Sequence, residues 1–212
     1  MRSALDRSSS SGIASGALVR LLMTSLLLIP IAVLNSERMV NAMLPVLGTV
    51  FEWFASDFKL LQLAIDREGA DRVLRATVMW KHTVTIGDHM IYPDPRGIAS
   101  ASTLMAHALQ GPLSALLMAC AWPVARMPIN QTWKEGVARA LILCPMSFAL
   151  ICIDVPVVLA GELWQLAFDA LAPGTSSILV AWKDFMQGGG RYAVGLAFAI
   201  TAVYGGRCIT AK

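Results

Sequence analysis

Charged residues are scarce in this sequence, and their scarcity excludes an ordinary soluble domain. Asp, Glu, Lys and Arg make up 15% of the 212 residues, against roughly 25% in an average soluble domain. Hydrophobic residues reach 56%, and the mean hydropathy is +0.61. A soluble fold of this size would have no interior in which to hide so much apolar surface. The net charge of +3 is too small to indicate a nucleic-acid partner.

Cysteine is also rare, and its placement excludes a disulfide framework. The four cysteines form no C-x-x-C pattern, and three of them fall within apolar stretches. We expect them to pack as small hydrophobic residues. A nucleophilic role for one of them would need a base or a cation beside the thiol. The cysteines are Cys120, Cys144, Cys152 and Cys208.

Histidine is limited to three positions, which leaves little material for catalysis or for a metal site. His82, Asp88 and His89 lie close together in sequence, but two histidines seven residues apart in a turn-rich segment are weak support for metal binding. A solvated loop is the simpler interpretation. We therefore expect neither a metal nor a cofactor, and the sequence contains no complete catalytic motif.

What the sequence does contain is a set of long apolar stretches. Most of them reach the ~20 residues that a helix needs to cross a hydrocarbon layer of roughly 30 Å. We predict an α-helical polytopic membrane protein with about four transmembrane helices, for which the lipid bilayer is the solvent. The predicted spans are residues 16–35, 101–125, 136–160 and 191–206.

A long charged insert, residues 36–100, separates the first two spans. Its first part, Met39–Phe58, keeps apolar residues at helical spacing, which predicts an interfacial helix continuing the first span outward. From Lys59 onward, β-branched and aromatic residues alternate with turn signals, which predicts a small antiparallel β-unit. The expected fold class is therefore a helical membrane protein with a small extracytoplasmic α+β insert between helices 1 and 2. The predicted strands are Leu60–Ile65, Val73–Trp80 and Thr83–Ile86.

Positive charge in the short segments predicts the topology. The loop 126–135 carries Arg126 and Lys134, so we expect it in the cytoplasm together with both termini. Residues 1–15 are expected to be a flexible tail because of their serine run, and residues 207–212 a second cytoplasmic tail. Residues 161–190 are then an extracytoplasmic amphipathic helix and loop. We expect the first span to be an uncleaved anchor, although a cleaved signal peptide is the alternative.

Asp154 is the most informative single residue, because it stands between apolar residues in the third span. A carboxylate at the centre of a span costs on the order of 2.5–3.5 kcal/mol by insertion scales. His107, in the second span, could approach it if the two spans pack antiparallel, which would make a relay or a structural hydrogen bond. The favoured interpretation, however, is that the span ends near Asp154, which would place the carboxylate at the outer interface, where this cost largely vanishes.

Aromatic residues of the extracytoplasmic segments are candidates for contact with a partner protein or with the membrane interface. The membrane interface is the favoured interpretation for the first two of them. These residues are Trp53, Phe54, Phe58, Trp80, Tyr92 and Trp164.

The order of these segments resembles the exosortase H-associated membrane proteins of Gram-negative bacteria, across most of residues 17–207. The resemblance rests on an anchor span with an interfacial helix and β-unit, a return span and a basic turn, and then the segments Trp164–Asp169, Trp182–Phe185 and Gly190–Gly195. It implies an inner-membrane accessory protein that works beside a sorting, secretion or surface-assembly system. It implies no chemistry for particular residues.

We therefore predict a non-enzymatic accessory or assembly subunit of the bacterial inner membrane, with other membrane-protein subunits as partners. Two alternatives stay open. A membrane-embedded cysteine transpeptidase would use Cys120 with Arg126 or Arg139, but no histidine follows position 107 to complete the order of an exosortase. A small transporter or channel subunit would use Asp154 and His107.

Overall fold

The computed structural model of the chain describes the backbone of residues 2–122 and 129–210, and the side chains of residues 16, 18–122 and 133–210. The described chain is mostly helical and carries a small sheet region, in agreement with the predicted fold class. Its helices are α1 (Arg2–Phe54), α2 (Met105–Ala121), α3 (Ile129–Leu171), α4 (Ile178–Phe185) and α5 (Arg191–Thr210). Its strands are β1 (Phe58–Glu68), β2 (Asp71–Trp80), β3 (Val84–Ile86), β4 (His89–Ile91) and β5 (Ile98–Leu104).

Three helical stretches of the described residues are long and apolar enough to cross a membrane: Leu18–Phe54, Trp133–Leu171 and Ile178–Thr210. At 33 to 39 residues, each exceeds the ~20 residues that one crossing requires. The expected second span is the shorter apolar helix α2, with 17 residues. Three spans are therefore supported by length and composition.

Helix α1 joins three segments that are predicted separately: the N-terminal tail, the first span and the interfacial helix. It continues without a break into Phe54, as the prediction of an outward continuation of the first span requires. It also begins at Arg2, so residues 2–15 are helical and not the flexible tail that their serine run suggests. Serine is only mildly unfavourable in a helix, and an existing helix propagates through it readily. In the most apolar window of this helix, no residue is buried within the protein.

The sheet is built from β1, β2 and β5 in that spatial order, all antiparallel. A two-residue turn joins β1 to β2, and Gly69 within it takes a φ of 64°, a conformation that favours glycine. The predicted antiparallel β-unit is thus present, whereas the predicted strand at Thr83–Ile86 belongs to a separate hairpin of β3 and β4.

Strand β5 corrects the predicted start of the second span. Residues 101–104 belong to this strand, and α2 begins only at Met105. The pairing runs from Val73 opposite Leu104 to Met79 opposite Ile98. Small and β-branched residues occupy this stretch, and pairing with β2 supplies the backbone hydrogen bonds that a helix would otherwise provide.

The chain divides into two compact units. The helical unit comprises residues 1–34, 111–148 and 192–212, and the mixed unit comprises residues 35–110 and 149–191. In the helical unit, small residues allow α2, α3 and α5 to approach closely. Gly195 shows this, because a Cβ there would lie 2.6 Å from the carbonyl oxygen of Gly111. The buried core of this unit is Ala115, Ala119, Leu143, Ala199, Ala202 and Val203.

The mixed unit has a larger core, in which the sheet packs on segments of α1, α2 and α3. Helix α3 reaches Leu171, so the predicted amphipathic helix after residue 161 continues the third span directly. Helix α4 follows, and a short π-helical turn, Met186–Gly190, connects it to α5. Gly189 bends the chain there with a φ of 111°. Helix α5 extends to Thr210, so the described part of the predicted tail 207–212 is helical.

The predicted cytoplasmic loop 126–135 is only partly described. Residues 126–128 lie outside the described residues, and from Ile129 onward the backbone is already helical as part of α3. The helix therefore takes in residues that the sequence analysis assigns to the loop.

Candidate functional site: a buried ion pair

Asp154 pairs with Arg191, and both side chains are buried within the mixed unit. Arg191 donates from Nε to Asp154 Oδ2 over 2.7 Å, and each side chain is 3% exposed. Asp154 projects from α3, and Arg191 is the first residue of α5. The charge of the carboxylate is therefore balanced by a guanidinium and not by water.

One oxygen of this carboxylate has no hydrogen bond. Asp154 Oδ1 is buried and without a partner among the described residues. A charged oxygen in such a place is costly, because the desolvation of a buried polar group is recovered only through hydrogen bonds. The pair thus keeps an open acceptor site inside the protein.

His107 lies near this pair but does not form the direct contact that the sequence suggests. It interacts electrostatically with both Asp154 and Arg191, and its side chain is half-buried. The acid and the neighbouring histidine are thus predictable from the sequence, whereas the arginine is not among the predicted residues. The sequence carries only a weak signal for Arg191, which directly follows three glycines at the start of an apolar stretch, because basic residues are common at the ends of spans.

A second polar cluster joins α3 to α4 and the π-turn. Lys183 is buried, and its Nζ contacts Gln165 Oε1 and lies 3.1 Å from Asp184 Oδ1. Gln187 donates to Glu162 Oε1 over 2.7 Å. Together with the Asp154–Arg191 pair, these contacts join α3 to the later segment in antiparallel order, and they hold the two segments together.

The six aromatic residues proposed as contact sites separate into two groups. Phe58, Trp80 and Trp164 stack on one another, with ring centroids 4.5 to 5.8 Å apart, and Phe168 extends the cluster. Aromatic packing of this kind fastens the sheet to α3, with Phe58 buried and Trp80 and Trp164 partly buried, so these three residues expose less surface to a partner. The residues that stay exposed are Trp53 (74%), Phe54 (46%) and Tyr92 (65%).

The helical unit contains its own buried ion cluster, which includes Arg139, the residue considered above both for its positive charge and as a possible cation beside Cys120. Arg139 pairs with Glu135 one helical turn away. It also donates to the carbonyl oxygens of Ala119 (2.9 Å) and Trp122 (3.2 Å). These carbonyls lie at the end of α2, where helical partners are missing. Arg207 approaches Glu135 from α5 at 3.5 Å.

The remaining sequence candidates are dispersed. His82 pairs with Asp57 across 3.0 Å, while Asp88 and His89 lie at the β3–β4 turn. Within the described residues, no group of three or more His, Cys, Asp or Glu side chains is placed to hold a metal ion. Cys152 is buried, and the other three cysteines are exposed.

Comparisons with protein-family models, with curated proteins and with solved structures give no match to this chain.

Proposed function

We propose that the protein is a non-enzymatic accessory or assembly subunit of a larger machine in a bacterial inner membrane, and that it docks a partner protein through the exposed aromatic residues of its mixed unit. Its proposed arrangement has about four spans, both termini in the cytoplasm and the sheet outside. The resemblance to exosortase H-associated proteins suggests a machine for protein sorting, secretion or surface assembly.

One observation carries this proposal: Trp53, Phe54 and Tyr92 remain exposed on the mixed unit, although neighbouring aromatic residues are packed inside. Large aromatic side chains with polar surroundings are the usual anchors of protein interfaces. Trp53 and Phe54 lie between Phe51 and Ala55, which are both buried in the core of the mixed unit, and this anchoring of the backbone lowers the entropy cost of binding.

The edge of the sheet favours recognition through side chains over strand addition. Among the described residues, β1 is an edge strand that pairs with β2 alone, but a β-bulge interrupts it between Leu60 and Gln62. Its far end carries Asp66, Arg67 and Glu68. Bulges and charges on an edge strand discourage pairing with another chain.

The contacts of Arg139, a possible activating cation for Cys120, support a non-enzymatic role. It interacts electrostatically with Cys120, but its guanidinium already binds Glu135 and two backbone carbonyls. The helical unit, which contains Cys120, has no histidine in its sequence. A thiol there would lack the base that nucleophilic catalysis requires.

The test uses photo-crosslinking in native membranes. A benzophenone amino acid replaces Trp53 in one variant and Trp133 in the control, since these two tryptophans are equally exposed at 74% and 73%. We expect position 53 to give a discrete protein adduct and position 133 to give none. Adducts to lipid alone at position 53 would contradict the docking role and would identify Trp53 as an interface anchor.

A small transporter or channel subunit is the second candidate, favoured by the open oxygen of Asp154. Proteoliposomes containing the purified protein and a pH-sensitive dye would measure proton flux against empty vesicles. This function requires that flux exceed the empty-vesicle value and that Asp154→Asn abolish the difference. Flux equal to that of empty vesicles would remove proton conduction from consideration.

A further inference from the structure

Two arginines face each other near the turn of the β1–β2 hairpin. Arg67 lies directly opposite Arg72 in the antiparallel register, and like charges in that position destabilise a sheet. Glu37, on α1, accepts a hydrogen bond from Arg72 and so compensates one of the two charges. No side-chain partner of Arg67 is present among the described residues. The nearby Asp66 and Glu68 carboxylates are already bound by Arg75, at 2.9 and 2.8 Å.

A pocket opens between these side chains. Its lining residues are Glu37, Ile65, Asp66, Arg67 and Arg72, and its volume is about 260 Å³. That is less than the ~300–1,000 Å³ of typical pockets for drug-sized ligands, so it suits a group of few atoms. Two guanidinium groups in one pocket match the oxygens of a phosphate, which arginine binds in a bidentate manner.

The acidic side of the pocket suits a cation attached to that phosphate. Asp66 Oδ1 accepts a hydrogen bond from the Arg67 backbone N–H at 2.8 Å, and Asp66 Oδ2 forms an ion pair with Arg75 Nε at 2.9 Å. The Glu37 side chain is 46% exposed, and its contact with Arg72 is made through Oε2. Oε1 of Glu37 therefore remains available to a donor from the ligand.

The position of Glu37 along the chain indicates where the phosphate comes from. Most large hydrophobic residues of α1 between Leu18 and Leu34 are exposed, and Glu37 follows Leu34 by three residues. Beyond Glu37, the exposed hydrophobic residues of α1 are sparser: Met39, Val46, Trp53 and Phe54. An apolar run of that length crosses most of a hydrocarbon layer. The next polar residues then stand at the depth of the lipid headgroups.

We propose that this pocket binds the headgroup of a phospholipid that carries a primary ammonium, such as phosphatidylethanolamine. The phosphate diester accepts hydrogen bonds from Arg67 and Arg72, and the ammonium donates to Glu37 Oε1. The bound zwitterion compensates Arg67 without adding net charge to the site. This inference is independent of the docking role proposed above.

Native mass spectrometry of the full-length protein in mild detergent tests the proposal. The probes are phosphatidylethanolamine, phosphatidylcholine and phosphatidylglycerol with matched acyl chains. We expect phosphatidylethanolamine to be retained most strongly. Arg67→Gln should weaken its retention about tenfold, which corresponds to ~1.4 kcal/mol. Arg67→Lys should weaken it less, because the charge remains while the bidentate geometry is lost.

Arg96→Gln is the matched control, since Arg96 is an exposed arginine of the same unit outside the pocket, and it should retain the lipid fully. Glu37→Gln should remove the preference for phosphatidylethanolamine over phosphatidylcholine, whose quaternary ammonium cannot donate a hydrogen bond. The proposal is overturned if Arg67→Gln retains as much lipid as the wild type. It is equally overturned if phosphatidylglycerol binds as well as phosphatidylethanolamine, or if inorganic phosphate displaces the lipid completely, which would indicate a site for a free anion.

Discussion

In the helical unit the buried carboxylate of Glu135 faces two arginines, whereas in the mixed unit the buried carboxylate of Asp154 faces one. Arg139 also binds two backbone carbonyls at the end of α2, whereas among the described residues the Arg191 side chain hydrogen-bonds to Asp154 alone. One cluster is thus a network that completes a helix end. The other is a single pair between two helices.

The difference predicts how each cluster responds to the loss of one member. In a network, the remaining groups still have partners, so part of the electrostatic balance survives. In a single pair, removal of one charge leaves the other buried and uncompensated, which is the costly case. The single pair is therefore the more fragile and the more informative target.

Asp154→Leu should have the largest effect. It leaves Arg191 buried without a counter-ion, and the loss of one partner of a buried pair costs about 3–5 kcal/mol. The double variant Asp154→Leu/Arg191→Leu should recover most of that stability, since an apolar pair can replace a buried ion pair at little cost. Thermal unfolding in mild detergent measures both. Equal destabilisation by the single and the double variants would show that the pair is not an isolated unit.

Arg139→Met should have the next largest effect. Its side chain gives up two hydrogen bonds to carbonyls as well as the ion pair, and we expect a total loss of about 1.5–3 kcal/mol, the size of one hydrogen bond to a charged group. Glu135 keeps Arg207 as a partner, so the total should stay below that of Asp154→Leu. Hydrogen exchange should show faster opening of the last turn of α2, near Ala119. Unchanged exchange there would mean that the carbonyl contacts do not hold the helix end.

Glu135→Gln should cost less again, about 1–2 kcal/mol, because the amide oxygen of glutamine still accepts a hydrogen bond from Arg139. Arg207 is 39% exposed at its side chain and can be solvated in the absence of the carboxylate. The same melting measurement applies. A loss as large as that of Asp154→Leu would show that the network offers no protection, and the distinction between the two clusters would fail.

Much of the fold is predictable from the hydrophobic pattern of the sequence and from its turn residues. The β1–β2 hairpin follows from β-branched strands around Glu68-Gly69, and the continuation of α1 follows from apolar residues at helical spacing through Phe54. The predicted start of the second span is wrong because the Ala, Ser and Thr residues of β5 together give no strong local preference for a strand over a helix. Pairing with β2 makes them a strand, and that pairing is a long-range contact that no local pattern contains.

The candidate site is only partly predictable from the sequence, for a similar reason. Asp154 stands out because a carboxylate in an apolar run is expensive, and this needs no knowledge of the fold. Arg191 is 37 residues away and lies at the start of a predicted span, where a cation is ordinary. The aromatic residues show the same limit, since an exposed Trp53 and a stacked Trp80 are indistinguishable until the sheet is placed on α3.

His107→Gln should have the smallest effect on stability, below about 1 kcal/mol, because no hydrogen bond joins this half-buried side chain to Asp154 or Arg191. That makes it the variant that separates a structural pair from a proton path. If Asp154 and Arg191 only hold α3 to α5, the melting temperature and the vesicle proton flux of His107→Gln should both match those of the wild type. If the open Asp154 oxygen takes up protons by way of His107, the melting temperature stays the same while the flux is lost. The matched comparison is Glu135→Gln, which lowers stability in the other cluster and should leave the flux unchanged in either case.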